Sequence, residues 1–91
     1  MKTSNLINFI LKLIPAKIII SSLYWLQIND EMDKELIIIF SLIDNDKYDE
    51  AEKLEKEFHE KWDGKYIFPE WVAETYSKIY KAGSMINFMK A

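Results

Sequence analysis

The stretch DKYDEAEKLEKEFHEKW, residues 46–62, decides the fold class. Its apolar positions are Tyr48, Ala51, Leu54, Phe58 and Trp62, separated by three and four residues, which is the spacing of one helical face. Acids, lysines and His59 fill the rest. Asp49, Glu52 and Glu57 each precede a lysine (Lys53, Lys56, Lys61) by four positions, an arrangement that stabilises a helix by about 0.3–0.5 kcal/mol per pair. Asp63-Gly64 ends the element, since glycine readily takes the left-handed conformation that closes a helix. An amphipathic surface helix is the reading.

Toward the N-terminus, Asn29-Asp30 reads as a cap, with Glu31 and Asp33 in the positive first turn of a preceding helix. Met32, Leu36, Ile39 and Ile43 give it a core face, which Ile37, Ile38 and Phe40 widen. Earlier still, Pro15 suits the first turn of a helix over about 15–28. Ser4 or Asn5 can cap a first helix reaching Ile14. Toward the C-terminus, Tyr66-Ile67-Phe68 is expected to be extended, because the residue before Pro69 is pushed out of the helical region. Pro69 opens a fifth helix with Val72, Tyr76, Ile79 and Tyr80 inward. Gly83 is its expected stop, with Met85–Met89 as a last short turn or a continuation past the glycine.

The expectation is an all-α chain: a compact bundle of about five short helices forming a single domain over residues 1–91. The alternative is α+β, with β-branched strands at Ile18–Ile20 and Leu36–Phe40. Residues 34–62, with DNDKYDEAEKL at 44–54, resemble a helix–turn–helix hairpin in the general style of tetratricopeptide repeats. No second copy follows at the repeat spacing, so a repeat protein is not expected.

Composition narrows the function classes. Ninety-one residues suffice for one small domain. With 49% apolar and 30% charged residues, the chain is neither disordered nor an integral membrane protein. It has no cysteine, so disulfides, thiolate metal sites and cysteine nucleophiles are excluded. It also has no arginine, hence no bidentate fork for phosphate or guanine. Abundant isoleucine and lysine, both with AT-rich codons, hint at a phage or a low-GC bacterium.

The net charge of −3 is unevenly spread: residues 1–27 carry +3, residues 28–64 carry −8 and residues 65–91 carry +2. Residues 6–28 are strongly apolar, yet Lys12 and Lys17 would each cost about 2.5–3.5 kcal/mol at a bilayer centre. Pro15 interrupts them further, and no signal-peptide core is present. This segment is read as core-forming in a cytoplasmic protein, with an interfacial helix on a membrane surface as the competitor.

Little chemistry is legible. His59 is the single histidine. Glu55, His59 and Asp63 stack at successive helical turns, a weak basis for a metal site that needs three or four oriented ligands. Ser21-Ser22 lacks a nucleophile-elbow context, and there is no Gly-rich phosphate loop. No catalytic residue, metal ligand or cofactor is assigned. Nucleic-acid binding is disfavoured by the acidic middle. A nucleic-acid-mimicking acidic helix fits better, although interleaved lysines weaken it.

Aromatic residues make up 14% of the chain, with Trp25, Trp62, Tyr66, Phe68, Trp71 and Tyr76 near the expected turns. They can fill a core, or anchor a partner. Helices apolar nearly all round exceed what one small core can hide, so a homo-oligomer is expected, with a seam at Phe9, Leu13, Ile19 or Trp25. The functional expectation is a small non-enzymatic protein-binding module of inhibitor, immunity or adaptor type. Its partner would be a basic protein, met by Asp49, Glu52, Glu60, Trp62 and Trp71. The alternative is a structural or membrane-surface module using residues 1–28 as an anchor or seam.

Overall fold

The computed structural model describes residues 16–91, with side chains from Ser21 onward. Three helices follow one another: α1 (Ala16–Asp44), α2 (Tyr48–Trp62) and α3 (Glu70–Lys90). The all-α class holds, and among the described residues there is no strand. Both Ile18–Ile20 and Leu36–Phe40 are helical, which removes the α+β alternative. The first expected helix, with Phe9 and Leu13, lies outside the described residues.

The expected break at Asn29-Asp30 does not exist. Helix α1 runs through it for 29 residues, about 44 Å at 1.5 Å per residue. The reason is phase. Ile28, Met32, Leu36, Ile39 and Ile43 are all buried and form one uninterrupted stripe at spacings of four and three. Asn and Asp cost a helix interior only about 0.7 kcal/mol or less each, far below the burial along that stripe. Asp30 also pairs with Lys34 at 3.0 Å within the helix.

Gly83 is likewise no stop, since α3 continues to Lys90. A Cβ at position 83 would lie 3.1 Å from Glu55 Oε1, so the glycine accommodates close approach of α2 and α3. The expected second and third helices are therefore one, and the described region holds three helices.

The α1–α2 turn closes through a Schellman arrangement: the Lys47 amide donates to the Leu42 carbonyl at 2.9 Å and Asp46 to Ile43 at 3.1 Å. Asp46 takes the required positive φ of 60°. The residue expected to begin α2 instead ends α1. Gly64 (φ 70°) closes α2, as its sequence position suggests.

Cross-helix pairs set the topology. Lys61 of α2 meets Glu35 of α1, while Lys90 of α3 meets Asp49 at the opposite end of α2. Thus α2 runs antiparallel to both neighbours in an up-down-up bundle. The core also contains Ala51, Phe58, Trp62, Val72, Ile79, Ala82 and Ile86. In α3, Thr75 is buried, Tyr76 is half-buried and Tyr80 is 58% exposed, so Tyr80 is not an inward residue. Among the described residues, no helix is long and apolar enough to cross a membrane.

Candidate interaction surface

The connector between α2 and α3 is held by aromatic rings. Pro69 makes it extended, and an extended chain alternates its side chains. Tyr66 stacks on Phe68 at 5.7 Å between centroids, and both meet Trp25 of α1 edge-on at 6.4 and 6.0 Å. Phe68 also meets Tyr76 at 5.2 Å, which in turn stacks on Phe58. Ile67, between the two inward rings, is left 94% exposed. Trp71, in the first turn of α3, is 43% exposed. Glu60, Asp63 and Glu70 are exposed around the same end of the bundle.

The five residues expected to form one partner face are not equivalent. Trp62 is 2% exposed and donates its indole N–H to Glu35 Oε2 at 2.6 Å. It is a core residue and leaves the face, because its ring completes the stripe begun by Ala51 and Phe58. Asp49 and Glu52 both accept from Lys90, at 2.7 and 3.2 Å. That contact holds both carboxyls below their ordinary values and the ammonium above its own, through the hydrogen bonds first and their charges second. Lys90 thus offsets part of their charge within the fold, although Asp49 remains 92% exposed. Glu60 and Trp71 remain available at the connector end.

Of the expected seam, Trp25 is half-buried against the connector. Ile19 lies in α1 at a position whose side chain is not among those described. Ile37 and Ile38, expected to widen the core face, are instead exposed, and so are Leu23 and Leu26, which the sequence spacing did not single out. Leu23 (61% exposed), Leu26 (53%) and Ile37 (60%) point away from the core, while Ile38 (53%) lies at its edge beside α2. Their signal was present: each is out of phase with the Ile28–Ile43 stripe.

The α2 ion pairs are also redistributed. Glu52–Lys56 forms at 3.5 Å, but Lys61 reaches Glu35 and Glu31 across to α1 rather than Glu57. His59 sits between Asp63 (2.8 Å) and Glu55 (3.6 Å), with Tyr80 against its ring at 5.9 Å. Tyr76 donates to Asp63, and burial followed by that bond raises its phenol above the ordinary value. These groups satisfy one another. Among the described residues, no cluster of three or more His, Cys, Asp or Glu is arranged to hold a metal ion. A pocket of about 90 Å³ between α1 and α2, lined by Glu35, Ile38, Ile39, Leu54, Glu57 and Phe58, is well below the roughly 300–1,000 Å³ typical of ligand clefts.

Comparison with protein-family models, with curated proteins and with solved structures gave no match.

Proposed function

We propose that this chain is a small non-enzymatic protein-binding module that acts by occluding or sequestering a basic protein, in the manner of an inhibitor, immunity protein or adaptor. The observation that carries the reading is Ile67, a large aliphatic side chain 94% exposed on a connector fixed by its aromatic neighbours. A rigid support avoids much of the ordering cost of binding, and exposed Trp71 adds an aromatic anchor. Glu60 and Glu70 supply an acidic rim that would steer a basic partner. We place it in a cytoplasmic setting, and its abundant isoleucine and lysine accord with a phage or low-GC bacterial source.

The test is affinity capture from a bacterial lysate, followed by binding of the purified captured protein to wild type and Ile67→Ser. Affinity should fall at least about tenfold for Ile67→Ser, with an unchanged melting temperature. Equal affinities would reject this face.

A second reading is a membrane-surface module, favoured by the exposed Leu23, Tyr24 and Leu26 near the start of α1. Flotation with anionic vesicles, lost in Leu23→Ser/Leu26→Ser, is the result that reading requires.

A further inference from the structure

We propose that the outer face of α1 is an antiparallel docking seam for a second copy of this chain, with Asp30 and Lys34 pairing reciprocally across a two-fold axis. Around a helix, successive residues turn by about 100°. Leu23, Leu26, Asp30, Lys34, Ile37 and Ser41 therefore fall on one side, opposite the buried stripe of Ile28, Met32, Leu36, Ile39 and Ile43. All six outer residues are exposed.

Their order is self-complementary about position 32. Asp30 and Lys34 are equidistant from that point, as are Leu23 and Ser41, while Leu26 and Ile37 lie six and five residues from it on the same face. An isologous interface requires this property: residue i meets j, and j meets i. Placing a second α1 antiparallel over the first sets each Asp30 beside the other copy's Lys34. Leu26 is brought beside Ile37 at both ends. Two acids and two lysines then form a neutral ring at the centre, with apolar contacts on either side. The Asp30–Lys34 pair within one chain, at 3.0 Å, already holds both charges on this face.

A parallel arrangement would oppose Asp30 to Asp30 and Lys34 to Lys34, so charge selects the antiparallel one. The occupant is therefore a second copy rather than a generic apolar surface. No residue is shared with the Ile67–Trp71 face, so failure here leaves the proposed function intact.

The experiment is sedimentation equilibrium of the full chain with two charge-reversal variants, Asp30→Lys and Lys34→Asp, separately and mixed. Wild type should dimerise at or below about 100 μM, as suits a modest interface. Each variant alone opposes like charges twice, and its dimer dissociation constant should rise at least about tenfold. In an equimolar mixture every contact is again Lys against Asp, and heterodimers should form with near wild-type affinity. Circular dichroism of each variant should match wild type. A monomeric wild type, whether because residues 1–15 or a lipid surface covers the face, overturns the proposal. So does a dimer that neither variant weakens, or a mixture no more associated than its components.

Discussion

The indole N–H of Trp62 donates to Glu35 Oε2 at 2.6 Å, tying α2 to α1 from a ring that is 2% exposed. Lys61 occupies the other oxygen of the same carboxylate at 3.1 Å and lies 4.9 Å from the indole centroid. One acid thus serves a buried donor and an exposed cation. Glu35→Ala should cost about 1–3 kcal/mol by leaving the buried indole without an acceptor. Glu35→Gln retains an oxygen and should cost no more than about 1 kcal/mol. Urea denaturation of the two variants checks the ordering; equal stabilities would show that the bond contributes nothing.

The isoleucine triplet at 37–39 distinguishes helix from strand directly. In a strand, residues 37 and 39 would share a face. In α1, Ile39 is 1% exposed and Ile37 is 60% exposed. Ile39→Ala should therefore lose about 2–5 kcal/mol, while Ile37→Ala should change stability by less than about 0.5 kcal/mol. Denaturant midpoints at low protein concentration, where self-association does not contribute, give both values.

Continuity of α1 is tested at Glu31. If a helix began after Asn29-Asp30, a proline at 31 would occupy a tolerated first-turn position. Inside a continuous helix it removes a hydrogen bond and clashes with the preceding turn, at about 3 kcal/mol or more. Glu31→Pro should accordingly lower the melting temperature and the helical circular dichroism signal. Full retention of both would restore the break.

Much of the fold was legible because periodicity survives in a sequence. The buried sets Met32–Leu36–Ile39–Ile43 and Ala51–Phe58–Trp62 were visible as helical faces. Boundaries were not, because Asn29-Asp30 and Gly83 are cheap to include in a helix once the flanking apolar stripes are in phase. The candidate site was less legible. Trp62 resembles an anchor by type, and only its place on the stripe buries it. Asp49 and Glu52 look like free charge until Lys90, 38 or more residues away, reaches them. Ile67 was hidden in an aromatic run whose alternation becomes meaningful only when Tyr66 and Phe68 find Trp25.

The Lys90 clamp predicts a pH dependence. Asp49 and Glu52 sit below their ordinary values of 3.8 and 4.5, so their contribution is complete above that range and is lost as pH falls through their lowered values. Lys90 is held above its ordinary 10.5, so its contribution is lost as pH rises past that value. Lys90→Met should flatten both limbs: wild type should lose more stability than the variant between about pH 5 and pH 2. The effect should shrink in high salt, because the pair is exposed. Parallel melting curves for the two proteins at every pH would contradict the clamp.

The three tryptophans provide the most direct test of the binding claim, because each contributes one indole N–H signal in a proton–nitrogen spectrum. The captured partner is titrated into nitrogen-labelled protein while the three signals are followed. The Trp71 signal should shift or broaden on binding, while that of buried Trp62, bonded to Glu35, stays in place. A Trp71 signal unmoved at saturation would contradict the account.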